Sequence, residues 1–137
     1  MKKNIKAVGV VFEDKDGNIL VLRRHSASRE GDKWGLVGGN IDDGENSIQA
    51  AIRETSEEIN HKISKLDLEF VKSYQWEHDD ADISFDVFMY KIDQDKGVIK
   101  LDTNENTEHL WARPETLYVR DDLMKGLYPI LKDSYKV

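Results

Sequence analysis

Apolar and polar residues alternate along much of the chain, and this alternation predicts a protein rich in strands. The first two blocks flank a polar turn at residues 14–18, which predicts a hairpin. Two long blocks in the middle flank a second polar turn at residues 78–82. The predicted strands are residues 5–12, 19–22, 34–37, 66–76, 83–92, 98–101 and 108–112.

Two other stretches repeat their apolar residues at helical spacing. Residues 47–60 predict a central helix, and residues 121–135 predict a C-terminal helix. Pro114 is predicted to begin a turn or to take the first position of a helix. Strands mixed with these helices indicate an α+β fold, but the pattern alone does not choose between several folds of that class.

The predicted central helix carries three glutamates on one edge. Glu54, Glu57 and Glu58 fall within roughly 100° of arc on a helix, beside the apolar residues of the same segment. Carboxylates held together repel one another, so we expect a cation between them. Oxygen ligands without any cysteine indicate Mg²⁺, with Mn²⁺ possible, rather than zinc.

A solvated helix face stabilised by salt bridges is the alternative explanation of this acidic edge. The positions four residues after Glu54 and Glu57 hold Glu58 and His61, so neither glutamate has a lysine or arginine partner there. The like-charged pair of Glu54 and Glu58 destabilises a bare helix. The metal site is therefore the favoured interpretation.

The spacing of the charged and glycine residues resembles the Nudix box of the MutT-like pyrophosphohydrolases. The matching pattern is Gly39, five residues, Glu45, seven residues, Arg53-Glu54, two residues, Glu57-Glu58. Residues 34–39 also resemble the lead-in to this box. The resemblance implies a Nudix-type α/β/α sandwich, with a mixed β-sheet packed between helices, as a single domain over residues 1–137.

Four positions depart from the family pattern: Val37, Thr55, Asn60 and His61. Asn60 stands for a closing glycine and is the next-best residue for a left-handed helix cap. Thr55 stands for an aliphatic residue, and its hydroxyl is expected to bond a carbonyl on the preceding turn. Every charged position of the box is retained, so we expect activity to be preserved.

The resemblance also implies roles for particular residues. Glu57 and Glu58 are the expected metal ligands, with Glu54 as a ligand or a base, and a backbone carbonyl of Gly38 or Gly39 completes the metal site. Arg53 is expected to brace the loop by pairing with Glu45 or Glu57. The candidates for the general base are Glu54, Glu105 and Glu108. The candidates for substrate binding include Arg23 and Arg24, which a surface pair explains equally simply. Trp34, Trp76 and Tyr74 are candidates for stacking on a base or sugar, although a place in the core is the favoured explanation of these aromatics.

Composition and charge narrow the class of partner. The net charge of −7 makes nucleic acid an unlikely partner because its phosphate backbone requires a basic surface. A small polyanion remains compatible, since a bound cation reverses the local sign of charge. The sequence has no membrane-length apolar run and no signal peptide, so we expect a cytoplasmic protein. A homodimer is left open.

The expected substrate is a nucleoside diphosphate linked to a second moiety. The marks of ADP-ribose, NADH and coenzyme A hydrolases are missing, and Glu77 stands where the first group has proline. Elimination favours a nucleoside triphosphate, cleaved to a monophosphate and pyrophosphate. The alternatives are hydrolysis of ADP-ribose, a sugar nucleotide, a dinucleoside polyphosphate or an RNA 5′ end, and a catalytically weak regulatory domain that binds nucleotide.

Overall fold

A mixed β-sheet with helices on both faces forms the framework of the computed structural model, which describes residues 2–92 and 99–137. The strands are β1 (Lys3–Asp14), β2 (Ile19–Arg24), β3 (Trp34–Gly35), β4 (Val37–Asn40), β5 (Glu69–His78), β6 (Ala81–Ile92) and β7 (Asn106–Ala112). The helices are α1 (Ser47–Ile59), α2 (Pro114–Tyr118) and α3 (Leu127–Tyr135), and a 3₁₀ turn covers Lys65–Asp67.

Strand β1 organises the sheet because it pairs along both of its edges. It runs parallel to β6 from the pair Lys3↔Ala81 to the pair Asp14↔Ile92. On its other edge it pairs antiparallel with β4 and β2. The main path is β3-β2-β1-β6-β5, with β7 joined to β2 and β4 joined to β1. This arrangement brings β4, which precedes α1, to the middle of the sheet.

Alternate residues of β1 serve two separate cores. Val8, Val10 and Phe12 pack on the face that α1 covers. Val11 packs on the opposite face with residues of α2 and α3. The predicted α/β/α sandwich is therefore confirmed.

Helix α1 begins at the predicted residue and ends one residue before the predicted end, and both of its ends are capped. Asn46 and Gln49 form a reciprocal capping box at the N-terminus. Asn60 takes the left-handed conformation at the C-terminus, with φ of 54°, as expected for a substitute for glycine. His61, the next departure from the family pattern, packs edge-on against the rings of Phe12 and Tyr90.

The C-terminal helix begins later than predicted. Leu123 lies within the predicted helix, but it forms an isolated parallel bridge with Trp34. Trp34 donates its backbone N–H to Asp122 at 2.9 Å and accepts one from Met124 at 2.7 Å. These bonds hold residues 122–124 alongside Trp34 outside a helix, and α3 starts only at Leu127.

The predicted edge strand at residues 98–101 is also wrong in its described part. Val98 lies outside the described residues, and residues 99–101 are not in a strand. The backbone N–H of Lys100 instead bonds the carbonyl of Ile59 at 3.2 Å. The side chain of Asn60 donates to the carbonyl of Lys100 at 2.9 Å. This segment is therefore fixed to the C-terminal end of α1.

The hydroxyl of Thr55 is a polar group within the core. Thr55 is 0% exposed, and among the residues that the structure describes its Oγ1 has no hydrogen-bond partner. The predicted bond to a carbonyl on the preceding turn is therefore wrong. A buried hydroxyl without a partner costs about 1–3 kcal/mol.

Replacing this hydroxyl with a methyl group should stabilise the protein. We expect Thr55→Val to raise the free energy of unfolding by about 1 kcal/mol, because valine keeps the shape and removes the unsatisfied group. Thr55→Ser, which keeps the hydroxyl and loses the methyl, should lower it. Denaturant unfolding of the three proteins measures both changes, and a less stable valine variant would contradict the assignment.

Candidate metal and substrate site

Two buried carboxylates on α1 lie against the backbone of β4. Glu54 and Glu58 stand one helical turn apart and are 8% and 5% exposed. The backbone N–H of Gly38 donates to Glu58 Oε1 at 2.7 Å. A side chain at Gly39 would place its Cβ 2.7 Å from the carboxyl carbon of Glu54. Glycine at position 39 is therefore what allows the strand to approach the helix so closely.

A third carboxylate joins this pair from the other end of the chain. Asn106, the buried first residue of β7, donates its side-chain N–H to Glu58 Oε2 at 3.1 Å. The backbone N–H of Asp102 bonds the carbonyl of Glu58 at 2.8 Å. Glu105 consequently lies beside the helix, and one oxygen each of Glu54, Glu58 and Glu105 lie within 4.8 Å of one another. We call these three residues the carboxylate cluster.

The carboxylate cluster carries charge at a cost. Burial raises the pKa of Glu58 to about 8. The neighbouring Glu54 also raises this pKa, whereas the hydrogen bond from the Gly38 N–H lowers it. Burial also raises the pKa of Glu54, while the hydrogen bond from Arg53 lowers it. A positive ion between these oxygens would reverse this penalty. The three donors are all carboxylate oxygens, which suits a hard divalent cation.

Glu57 lies outside the carboxylate cluster. Its side chain is 58% exposed, and its Oε2 accepts a hydrogen bond from Arg53 Nη1 at 3.1 Å. Its role as a metal ligand stays a prediction.

Arg53 ties the loop before α1 to the helix. Its Nε and Nη2 bond the two oxygens of Glu45 at 2.7 and 3.0 Å, and Nη2 also bonds the carbonyl of Asn40 at 3.0 Å. Its Nη1 bonds Glu54 at 2.9 Å in addition to Glu57. The hydrogen bond from Arg53 lowers the pKa of Glu45. The structure thus shows both of the pairings that the sequence offered as alternatives.

Three other predicted residues lie away from the carboxylate cluster. Arg23 and Glu108 face each other across β2 and β7, and Arg23 Nη1 donates to Glu108 Oε2 at 2.7 Å. Trp34 is 8% exposed and packs in the core between the sheet and α3. In the part of the chain that the structure describes, none of the three lines the cavity beside the cluster.

That cavity has a volume of about 290 Å³ and reaches the backbone of Gly38 and Gly39. Its apolar wall includes Leu36, Trp76, Phe85 and Met124, and its polar side chains are Arg24, Arg29, Glu30 and Asn40. Trp76 lies so close to Gly126 that a Cβ there would be 2.9 Å from the indole. Because the same two glycines also contact Glu54 and Glu58, the cavity and the carboxylate cluster share one stretch of β4 as a common wall.

Sequence reasoning missed part of this site. Arg29, Glu30 and Asn106 were not identified, and the sequence offered Trp76 and Glu105 only among alternatives. The polar loop before Trp34 was the available signal for Arg29 and Glu30, because loops beside a motif often carry binding residues. Asn106 gave no local signal, since its partner Glu58 lies 48 residues away.

Comparison with known proteins agrees with the architecture. The structure resembles the crystal structure of a MutT protein from Methanosarcina mazei Go1, with a TM-score of 0.84 and 22% identity, covering 98% of this chain and 95% of that one. At this identity the likeness shows the fold alone. Within the described residues, none of the helices has the length and apolar character needed to cross a membrane.

Two curated relatives match a part of the chain. An 8-oxo-dGTP diphosphatase from Proteus vulgaris is 33% identical over 67 residues, which are 49% of this chain and 60% of the relative. A CTP pyrophosphohydrolase from Escherichia coli (strain K12) is 35% identical over 75 residues, which are 55% of this chain and 53% of the relative. The matches therefore span less than two thirds of either relative.

The sandwich carries a cluster of three carboxylates, whose oxygens suit a hard metal ion, beside a cavity. The NUDIX domain family matches residues 3–134, and the chain belongs to this family. Nudix enzymes generally use a divalent metal and act on small nucleotides.

The raised pKa of Glu58 makes the stability of the metal-free protein depend on pH. An unfolded glutamate releases its proton near pH 4.5, whereas folded Glu58 keeps it up to about pH 8. The folded state binds the extra proton between these values, so this contribution to stability falls as the pH rises. Glu58→Gln removes the titration and keeps an oxygen acceptor for Gly38. In EDTA, we expect the melting temperature of the variant minus that of wild type to increase as the pH is raised from 4.5 to about 8. A difference that does not change with pH would contradict the burial argument.

A second prediction concerns Arg53. We expect Arg53→Ala to lower the free energy of unfolding by about 1–3 kcal/mol, because several charged hydrogen bonds are lost together. Arg53→Lys is the matched control: it keeps the charge, but an ammonium group cannot reproduce the planar fork. It should be intermediate in stability. Limited proteolysis should show the loop at residues 40–45 opening first, and an alanine variant as stable and resistant as wild type would remove the bracing role.

Proposed function

We propose that the chain is a divalent-metal-dependent pyrophosphohydrolase that cleaves a nucleoside triphosphate to a nucleoside monophosphate and pyrophosphate. The observation that carries this proposal is the carboxylate cluster, whose three oxygens lie within 4.8 Å of one another beside a cavity with an aromatic wall. Phosphoryl transfer depends on positioning and on neutralising charge, and this arrangement supplies groups for both.

In this proposal Glu54 and Glu58 hold the cation, which we expect to be Mg²⁺, with Mn²⁺ possible. The bound cation supplies charge neutralisation at the phosphate oxygens and activation of water. Burial and the bonds from Gly38 and Asn106 fix the carboxylate of Glu58 before substrate arrives. The carbonyl of Gly38 or Gly39 remains the predicted additional ligand.

Glu105 is the general base in this proposal. It is the exposed member of the carboxylate cluster, so its oxygen is accessible to a water molecule. Glu108, the other downstream candidate, has its carboxylate engaged by Arg23. Glu105 would take the proton as water attacks phosphorus and the phosphoanhydride bond breaks.

The cavity provides the groups that a nucleotide requires. Arg24 and Arg29 supply positive charge for the phosphates, and Trp76 offers an aromatic surface for the base. The volume of about 290 Å³ lies near the lower end of ligand cavities, roughly 300–1,000 Å³, which favours one nucleoside over a dinucleoside substrate. Both curated relatives are named for nucleoside triphosphate substrates, which supports the same class.

A panel of nucleotides tests the proposal directly. Nucleoside triphosphates, ADP-ribose, a sugar nucleotide and a dinucleoside polyphosphate are incubated with Mg²⁺ and with EDTA, and the products are separated by chromatography. We expect metal-dependent release of a monophosphate and pyrophosphate from triphosphates. Nucleotide binding without turnover of any substrate would instead support a regulatory domain.

The assignment of Glu105 as the general base has a sharper test, which uses a matched pair of variants. We expect Glu105→Gln to reduce kcat by about 100-fold or more, since general base catalysis contributes about 10²–10⁴-fold. Glu108→Gln removes the same charge from the other candidate base, on the same strand-forming segment. It should leave kcat within about threefold of wild type. Steady-state kinetics with saturating Mg²⁺ distinguish them, and the reverse order of effects would move the base to Glu108.

A further inference from the structure

Glu30 occupies an unusual position in the loop between β2 and β3. It lines the cavity, and it has a left-handed backbone conformation with φ of 53°. A residue with a side chain adopts this conformation only where its surroundings hold it. Glu30 Oε1 accepts a hydrogen bond from the backbone N–H of Lys125 at 2.9 Å. This bond connects the loop to the segment that leads into α3.

Hydrogen bonds within the loop fix Glu30 relative to the rest of the site. Arg24 Nε donates to the carbonyl of Arg29 at 2.9 Å, and the N–H of Asp32 bonds the carbonyl of Arg24 at 3.1 Å. The backbone N–H of His25 donates to the carbonyl of Glu105 at 2.8 Å. The loop therefore contacts the carboxylate cluster at one end and presents Glu30 to the cavity at the other.

The polar side chains that line the described cavity differ in what they offer a base. Arg24 and Arg29 carry only donors, and Asn40 lies next to Gly39, beside the carboxylate cluster. Glu30 is the only carboxylate among the described lining residues. One of its oxygens bonds the N–H of Lys125, and within the described residues the second accepts no hydrogen bond, so it remains an acceptor for a ligand in the cavity.

We infer that Glu30 determines which nucleobase the cavity accepts. Its free oxygen accepts a hydrogen bond from the exocyclic amino group of cytosine or adenine, as carboxylates do from the amino group of cytosine elsewhere. Uracil and thymine present a carbonyl oxygen at the equivalent position, and two acceptors repel each other. This inference rests on the proposed function and specifies the class of substrate within it.

The comparison of CTP with UTP isolates this contact, because the two differ only at the edge that carries the amino group or the carbonyl. We expect wild type to have a kcat/KM for CTP at least about 10-fold above that for UTP. Glu30→Gln keeps an oxygen acceptor for Lys125 and replaces the free oxygen with an amide donor. The CTP to UTP ratio should therefore fall by about 10-fold or more, with the melting temperature little changed.

Asp32→Asn is the matched control. Asp32 lies in the same loop, has a positive φ of 62° and does not line the cavity. Its substitution removes the same charge and should leave the CTP to UTP ratio within about twofold of wild type. Equal use of CTP and UTP by wild type would overturn the inference, as would an unchanged ratio in Glu30→Gln or an equal shift in Asp32→Asn.

A binding measurement tests the role of Glu30 independently of whether the protein hydrolyses triphosphates. The α,β-methylene analogues of CTP and UTP resist hydrolysis, and their affinities for wild type and Glu30→Gln are measured by calorimetry. A preference for the CTP analogue that the variant loses supports the role of Glu30 even if no triphosphate is turned over. Equal affinity for both analogues overturns that role even if triphosphates are hydrolysed.

Discussion

The burial of two neighbouring carboxyl groups on α1 is the constraint on which the site depends. Glu54 and Glu58 are both nearly inaccessible to solvent, and burial disfavours their charged forms. The N–H of Gly38 and the side chain of Asn106 satisfy Glu58, while Arg53 satisfies Glu54. Each of these partners comes from a different part of the chain. The acidic edge of one helix therefore fixes the position of β4, β7 and the loop before α1.

The backbone of β4 links this charged region to the ligand cavity. Gly38 and Gly39 contact the carboxylates of α1 and also line the cavity on the α3 side of the sheet. The cavity and the carboxylate cluster therefore lie on either side of the same strand, and the sheet sets the distance between them.

Local signals accounted for the parts of the fold that were predicted correctly. Apolar and polar alternation predicted most of the strands, and Asn60 marked the C-terminal end of α1. The family resemblance supplied the layer arrangement. Contacts between distant residues gave no such signal: Leu123 pairs with Trp34 instead of extending α3, and Glu105 enters the site only because Asn106 bonds Glu58. Residues in the loop before β3 were overlooked because their partners lie near α3.

The placement of the aromatic residues has an optical consequence. The chain has 3 tryptophans, and they differ in their surroundings. Trp34 is buried in the core beneath Arg120, whereas the indole of Trp76 forms part of the cavity wall against Gly126. Intrinsic fluorescence at Trp76 therefore responds to a molecule stacked on its ring, while emission from Trp34 responds to loss of the core. A ligand at Trp76 is therefore expected to change the emission of the folded protein while Trp34 remains buried.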